Sequence, residues 1–404
     1  MTTETWRGRT ALMIAHCAGM VDLVALPVWV GALIERYRFS PQQAGMLATL
    51  FLLGAVLSSL FFAPRFNRLN ARLATVGGFA VAALVFLAAS RTSEFSLLAI
   101  LHALAGATAA CGLSFTHGTI ARSANPHRVF AIVGMALGVF AILFLGVTPN
   151  LVATFGGSAL FLVFAGVMAV AALAAALSFP KGMVRSDEDL MADVSHLPRA
   201  VWFGIAGISC MALTQAMLFS FIERIGSDRG FGPEAVTGVL IALGFVNLLP
   251  APLAAVLEKR LPARYVLPAG PVFQALIAVT ITFGSGFLAY AIPTAIFAAV
   301  MIFTHTFAFG LLSRLDPTAR ALAGTPAMLM TGAAIGPILG GTLVQLFGYP
   351  ALGLGTVIIS SVAVVMFSRV FAARGPAAAA SLEIARSGDS PHDPSADSPR
   401  CHRP

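Results

Sequence analysis

Charged residues are scarce in this chain. Only 10% of its 404 residues are Asp, Glu, Lys or Arg, whereas 58% are hydrophobic. A soluble domain carries roughly 25% charged residues, and a folded chain of this length cannot hide so much apolar surface from water. The composition therefore excludes a soluble protein and indicates that lipid is the solvent for most of the chain.

Cysteine is also sparse, with four residues, of which Cys17, Cys111 and Cys210 lie inside apolar runs. This spacing gives neither a disulfide framework nor a metal-ligand motif, so we expect no metal and no other cofactor. The motifs HExxH, GxSxG and the P-loop are missing, which argues against an enzyme. The apolar run at 10–34 is too long for the core of a cleavable signal peptide, and we expect it to remain as a membrane helix.

Long apolar runs dominate what is present. A bilayer core needs about 20 mainly apolar residues per helix, and breaks at Arg, Pro and Gly clusters give twelve such runs. The separation near 286–289 is the weakest in the series. The predicted spans cover residues 10–34, 42–63, 73–90, 95–121, 129–152, 158–178, 200–223, 233–254, 266–286, 289–313, 321–345 and 350–372.

The basic residues predict the orientation of these spans. With the N-terminus inside, twenty Lys and Arg residues fall on the cytoplasmic side and five on the outer side, namely Arg36, Arg38, Arg91, Arg224 and Arg229. This bias follows the positive-inside rule, so we expect both termini to be cytoplasmic, in a bacterial-type inner membrane. The net charge of +8 is thus a topology signal, and we expect no nucleic-acid partner.

The chain also repeats itself at a shift of 192 residues. Phe39 and Pro41 then coincide with Phe231 and Pro233, and RLNAR at 68–72 coincides with RLPAR at 260–264. We therefore expect an all-α membrane protein of twelve transmembrane helices in two six-helix pseudo-repeats, residues 1–178 and 200–374. A polar cytoplasmic linker (179–199) joins them, and a tail at 375–404, rich in Ala, Ser, Pro and Asp, is expected to be disordered.

Twelve spans in two parallel repeats with a polar linker resemble the major facilitator superfamily of secondary transporters, over about residues 10–372. The best local motif is GPILGG at 336–341, whose small residues allow close helix approach. In the family's proton-driven exporters a similar signature occupies span 5, where this chain has Phe144, Leu145, Thr148 and Pro149. The resemblance implies a central cavity lined by spans 1, 4, 7 and 10.

Two segments are expected to take part in conformational gating. The family's loop between spans 2 and 3 usually reads like GxxxDRxGRR, and here it is APRFNRLNAR at 63–72. Arg68 and Arg72 keep the basic positions, whereas Asn67 replaces the acidic residue. The gating contact that the acidic residue would make, which we call the latch, is therefore expected to be neutral. The second segment is the span 11 motif, represented by Gly336, Pro337, Gly340 and Gly341.

Polar side chains within the spans mark the expected solute pathway. Asp22 is the one acidic residue deep in a predicted span, where an Asp costs about 2.5–3.5 kcal/mol on insertion scales. We assign it proton coupling; the alternative is a protonated structural carboxyl bonded to a neighbouring helix. His16 points about 120° away from it around the helix. The expected substrate cavity residues are Trp29, His102, His117, Thr214, Gln215 and His305.

These features predict a secondary active transporter that moves a small organic solute by alternating access, coupled to protons, with export favoured over uptake. Since the span 5 signature is absent, proton-symport uptake of an aromatic or monocarboxylic acid is an alternative, and a membrane sensor is the alternative from another class. No span holds a deep Lys or Arg, so a neutral or weakly basic, partly hydrophobic solute is expected rather than a multivalent anion. Lipid, solute and protons are the expected partners of a monomer.

Overall fold

The computed structural model describes residues 5–180, 198–257, 260–315 and 325–372. Within these ranges all regular secondary structure is helical, and twelve segments are long and apolar enough to cross a membrane. The predicted all-helical fold with twelve spans is thus confirmed. Most of the predicted linker, including its acidic run at 186–193, and the predicted tail lie outside the described residues.

Nine spans are single helices with bounds close to those predicted. The weak separation near 286–289 is real, because Gly284 ends span 9 and Phe287 begins span 10. Spans 4, 6 and 12 begin and end at the predicted residues. The nine helices are Pro41–Phe62 (span 2), Ala71–Ala89 (span 3), Phe95–Ala121 (span 4), Pro126–Phe155 (span 5), Ser158–Ser178 (span 6), Ala263–Phe283 (span 9), Phe287–Leu315 (span 10), Thr325–Phe347 (span 11) and Pro350–Ala372 (span 12).

The other three spans consist of two helices each. Span 7 continues to Asp228, beyond its predicted end at 223, because the helix restarts after a break at 220–221. Arg224 and Asp228 therefore belong to the span rather than to the loop that follows it, which corrects the predicted boundary. The paired helices are Trp6–Gly19 and Val21–Tyr37 (span 1), Arg199–Phe219 and Ile222–Asp228 (span 7), and Pro233–Val246 and Pro250–Leu257 (span 8).

Side-chain caps account for the starts of spans 3 and 4. The Asn70 side chain accepts a hydrogen bond from the Leu73 N–H at 3.2 Å, and Glu94 accepts from the N–H groups of Leu97 and Ser96 at 2.7 and 3.0 Å. Both caps satisfy donors that the first helical turn leaves free. The hydrogen bonds to Glu94 lower the pKa of its carboxyl, because they stabilise the charged form.

The spans pack in two groups with the same pattern of neighbours. In spans 1–6, span 4 contacts spans 2 and 3, and span 3 contacts span 6; in spans 7–12, span 10 contacts spans 8 and 9, and span 9 contacts span 12. These contacts recur six spans later, which is consistent with the predicted pseudo-repeats. The groups meet where span 2 packs on span 11 and span 5 packs on span 8.

The two ends of the helical region lie on one side of the molecule, because an even number of spans returns the chain to the side on which it began. We call the side that holds Trp6 and Ala372 the terminal side. The opposite side, which holds Tyr37 and Tyr349, is the distal side. The sequence predicts that the terminal side is cytoplasmic.

Candidate functional site

The break in span 1 positions the most deeply placed acidic side chain. Met20 leaves the helical region (φ −106°, ψ 19°), and Val21 restarts a helix whose first turn contains Asp22. Asp22 is only 6% exposed, and its Oδ1 atom has no hydrogen-bond partner among the described residues. The start of a helix carries partial positive charge and free N–H groups, which stabilise a nearby carboxylate. The break therefore explains how the chain tolerates an acid at this depth.

Gly19 and Pro27 influence the backbone on the two sides of this break. A Cβ atom on Gly19 would lie 2.7 Å from the Leu113 side chain, so glycine is needed where span 1 approaches span 4. Pro27 lacks the N–H that would bond the Leu23 carbonyl, which weakens the helix one turn after it restarts. Span 1 therefore packs closely on span 4 before Met20, whereas after Met20 it continues as a helix that lacks one backbone hydrogen bond at Pro27.

A pair of imidazoles joins span 1 to span 4 on the terminal side of the break. Nδ1 of His16 lies 3.0 Å from Nε2 of His117, and the ring centroids are 5.1 Å apart. One nitrogen must carry a proton and the other must offer a lone pair, so the pair shares one proton. The edge of Phe130 in span 5 lies against His117, with ring centroids 5.6 Å apart. The sequence marked both His16 and His117 as polar candidates within the spans, but it did not predict that they pair.

Trp29 and His102 lie together in the packed core of the first six spans. The indole N–H of Trp29 donates to Nε2 of His102 at 3.2 Å, and Nδ1 of His102 donates to the Leu98 carbonyl at 2.6 Å. Both residues are 1% exposed, and the rings of Phe51 and Phe164 pack on Trp29. All polar atoms of this pair are satisfied within the protein, and neither faces open space.

A second polar cluster connects span 7 with span 9. The amide nitrogen of Gln274 donates to the Met211 carbonyl at 3.2 Å and to Oε1 of Gln215 at 3.3 Å. Oε1 of Gln274 and the hydroxyl of Thr214 are buried and have no partner in the described part of the chain. Sequence reasoning missed Gln274, although a single amide in the middle of an apolar span was the available signal.

Span 10 contributes a third polar set. Thr304 packs against Gly270 of span 9 and donates to the Val300 carbonyl at 2.8 Å. The His305 ring stacks on Phe309, with centroids 5.0 Å apart. His305 is half-buried, and no other described histidine ring lies against it. The sequence FTH occurs at 115–117 in span 4 and at 303–305 in span 10. The two copies have different surroundings, although they lie in corresponding spans.

The span 11 motif lies at the junction of the two groups of helices. Gly336 contacts Ala216 and Met217 of span 7, and Gly340 also contacts Met217. On the opposite face, the Pro337 carbonyl touches Gly45, and Gly341 touches the Pro41 carbonyl in span 2. The missing side chains therefore permit close backbone approach within one group and across the junction.

Hydrogen bonds reinforce this junction at the distal ends of spans 2 and 11. The Ile338 N–H, next to the proline bend, donates to the Thr49 hydroxyl at 3.1 Å. The side chain of Gln42 donates to the Thr342 hydroxyl at 3.2 Å, and its backbone N–H donates to the Gln345 amide oxygen at 3.3 Å.

The basic loop between spans 2 and 3 is anchored to span 6 by Arg72. Its guanidinium donates to the Ala176 carbonyl, in the last turn of span 6, where a cation offsets the negative end of the helix. Arg68 is exposed. The side chain of Asn67 lies outside the described residues, so the predicted neutral latch stays a prediction.

A polar network that the sequence reasoning missed lies on the distal side. Asp228 accepts hydrogen bonds from Arg224 and from the Tyr349 hydroxyl, both at 2.6 Å. Burial raises the pKa of Tyr349 above its usual range, so the phenol remains protonated and can donate. The carboxylate of Glu223 contacts Gly31 of span 1 and accepts from the Ser227 hydroxyl at 2.8 Å. Glu223 was not predicted because the apolar run ends there.

The described residues contain no group of three or more His, Cys, Asp or Glu side chains that could hold a metal ion. The polar groups instead lie on spans 1, 4, 7, 9 and 10 as separate pairs and clusters. The contacts that they make are hydrogen bonds.

Comparison with known proteins agrees with this architecture. The chain matches the family model of the Major Facilitator Superfamily over residues 11–325. Its fold is similar to that of a bacterial homologue of the human lysosomal transporter Spinster in an inward-facing, unoccupied conformation; the TM-score is 0.68 and the identity 15%, over 92% of this chain and 97% of that one. It is also similar to the nucleoside transporter NupG, with a TM-score of 0.67 and 14% identity over 91% and 98% of the chains. No curated protein matches by sequence.

Fold and family together define a multi-pass membrane transporter of a small solute, and not an enzyme. The chain belongs to the Major Facilitator Superfamily, and the resemblance noted in its sequence is confirmed.

Proposed function

We propose that this protein is a proton-coupled carrier of a neutral or weakly basic, partly hydrophobic organic solute, with export as its favoured direction. It acts as a monomer in a bacterial-type inner membrane, with its termini, the linker at 179–199 and the tail at 375–404 in the cytoplasm. The two groups of helices alternate around the solute, and Asp22 carries the coupling proton.

The observation that carries this proposal is the buried carboxyl of Asp22 at the break in span 1, whose Oδ1 atom has no hydrogen-bond partner among the described residues. A structural acid would offset its cost of about 2.5–3.5 kcal/mol through hydrogen bonds to its neighbours, yet Oδ1 has none among the described residues. Reversible protonation of Asp22 would explain why an acidic residue lies at this position. Moving one charge through 100 mV supplies about 2.3 kcal/mol, which is enough to bias a transport cycle.

The solute class follows from the polar groups that the spans offer. Gln215 and Thr214 supply an amide and a hydroxyl, His117 and His305 supply imidazoles, and the described Lys and Arg residues lie at span ends. An imidazole has a reference pKa of about 6.5 and is positively charged only when it is protonated. A multivalent anion would therefore lack a permanently charged partner. We assign Trp29 and His102 to holding span 1 against span 4, because their polar atoms bond only to the protein.

The contacts between the two groups support a conformation that is closed on the distal side. The hydrogen bonds between spans 2 and 11 and the contact of Glu223 with Gly31 all lie at the distal ends of their helices. In the proposed orientation the site would then be reached from the cytoplasm.

Transport in vesicles tests the role of Asp22. Asp22→Asn keeps the shape of the side chain and removes its titration, so solute accumulation driven by a pH gradient should fall at least about tenfold, the loss expected when a required proton carrier is removed. Exchange of labelled solute without a gradient should survive. Glu94→Gln, which changes an exposed capping acid, is the matched control and should accumulate solute normally. Full accumulation by Asp22→Asn would reduce this residue to a packing role.

Competition for the transported solute tests its charge. Hydrophobic amines and neutral aromatic compounds should displace the best ligand more strongly than sugar phosphates or dicarboxylates do, because the spans offer no deep permanent cation. Stronger displacement by the multivalent anions would contradict the proposed solute class, whereas the Asp22→Asn result would still stand.

A further inference from the structure

An apolar groove lies between spans 2, 3 and 4, toward the terminal side of the molecule. It has a volume of about 520 Å³, and its wall residues Leu57, Phe61 and Val81 are exposed. On span 4, Leu113 and His117 face span 1, whereas Ala107 and Thr108 lie on the opposite side of the helix and line the groove. The groove therefore opens toward the lipid and not toward the junction of the two helix groups.

Adjacent glycines of span 3 have different roles in this groove. A Cβ atom on Gly78 would lie 2.7 Å from the Thr108 carbonyl oxygen and 2.8 Å from the Gly112 nitrogen, so Gly78 permits the close packing of spans 3 and 4. A Cβ atom on Gly77 would meet nothing within 4 Å. Packing does not require glycine at position 77, and its absent side chain leaves the groove open.

Positive charge lies at the terminal-side rim of the groove. The Arg65 guanidinium lies 3.9 Å from the centre of the Phe61 ring and donates to the Phe61 carbonyl at 2.7 Å. Arg122 lies 4.4 Å from the ring centre of Phe66, in the same turn as Arg65. From residue 36 to residue 186 the sequence has one acidic residue, Glu94, which caps the distal end of span 4. Spans 2 to 6 thus contribute no acidic residue to this rim.

We propose that the groove binds an acyl chain of an anionic phospholipid whose phosphate lies at Arg65. The lining is mostly apolar, with the hydroxyls of Ser58 and Thr108 as its polar groups, so water would find few partners there, whereas an acyl chain fills the groove with dispersion contacts. Anionic headgroups are attracted to basic residues at the cytoplasmic surface, which is the proposed identity of the terminal side. The lipid binds outside the solute site and is independent of the role of Asp22.

Native mass spectrometry of the purified full chain, titrated with phosphatidylglycerol or phosphatidylcholine, tests this site. Wild-type protein should prefer phosphatidylglycerol by about fivefold, the size expected of one surface cation. Gly77→Phe should lose the bound lipid because its ring fills the groove, and Gly77→Leu should weaken binding in the same way. Gly166→Phe is the matched control, since a Cβ atom on Gly166 also meets nothing within 4 Å, and should bind as wild type does.

The headgroup is tested separately. Arg65→Gln should bring phosphatidylglycerol binding down to the phosphatidylcholine level, whereas Arg91→Gln, an exposed arginine on the distal side, should leave the preference intact. Unchanged binding by Gly77→Phe, or displacement of the lipid by inorganic phosphate alone, would overturn the proposal. So would a lipid preference that appears only after Asp187, Glu188 and Asp189 are made neutral, because the acidic linker would then be the partner of Arg65.

Discussion

The buried imidazoles of the described residues differ in how many of their ring nitrogens have a partner, and Nδ1 of His305 has none. Both nitrogens of His102 are bonded within the protein, to Trp29 and Leu98. His16 and His117 satisfy one nitrogen each by bonding to one another across two spans. Neither member of this pair would be satisfied in the same way without the other, so the two residues form one structural unit.

A double-mutant cycle measures this dependence. His16→Leu and His117→Leu should each destabilise the detergent-purified protein by about 1–3 kcal/mol, because each leaves a ring nitrogen without its partner. The double variant should lose clearly less than the sum of the two. His102→Leu combined with His305→Leu is the control pair and should be additive within about 0.5 kcal/mol. Additive losses at His16 and His117, measured by denaturant unfolding, would contradict the shared bond.

At the scale of helices, glycine and proline decide which elements come close. The span 11 motif lets the backbone of span 11 touch span 7 on one face and span 2 on the other. The bend at Pro337 presents the Ile338 N–H to Thr49 of the opposite group. A side chain in this motif can be accommodated only when the two spans separate.

Gly341→Leu should therefore shift the protein toward conformations that are open on the distal side, because a Cβ atom there overlaps the Pro41 carbonyl. Electron–electron distance measurements between spin labels at Ser93 and Leu346 should show a larger population at long distance than in wild-type protein. Gly134→Leu, a span 5 glycine with nothing within 4 Å of its Cβ position, is the control. Identical distance distributions in Gly341→Leu and Gly134→Leu would contradict a role of the span 11 motif in gating.

At the scale of the whole molecule, the basic loops and the hydrogen bonds between the two helix groups lie on opposite sides. The basic loops lie on the terminal side, whereas hydrogen bonds between the helix groups lie on the distal side, together with the Arg224–Asp228–Tyr349 network inside the second group. We expect this charge bias to orient the protein in the membrane.

Reporter fusions test the orientation. The basic bias of twenty residues to five predicts that reporters placed at residue 190 and after residue 404 both report the cytoplasm. A reporter inserted at residue 92, between spans 3 and 4, is the control and should report the outer side. An outer location for both would reverse the proposed orientation, and an outer location for only one would contradict the twelve-span topology, because six spans separate residue 190 from the end of span 12.

The number and approximate bounds of the spans could be predicted from the sequence because each depends on local apolar length. Spans 4, 6 and 12 were predicted to the residue, since a cap, a glycine or a proline marks their starts. The breaks in spans 1 and 7 were not predicted, because the apolar run continues through Met20 and through Phe221 without a polar signal. Hydropathy measures transfer to lipid and contains no information on where a helix is interrupted.

The candidate site, like the spans, could be predicted only in part from the sequence. The sequence identified most of the polar groups that lie in the spans, because their cost in lipid makes them conspicuous, although Gln274 was missed. Only the tertiary structure decided that His16 meets His117, that Gln274 holds Gln215, and that Trp29 and His102 bond to each other in the core. These contacts join residues 59 to 101 positions apart. They depend on how helices rotate and approach, which is set by packing between small and large side chains rather than by the composition of any one span.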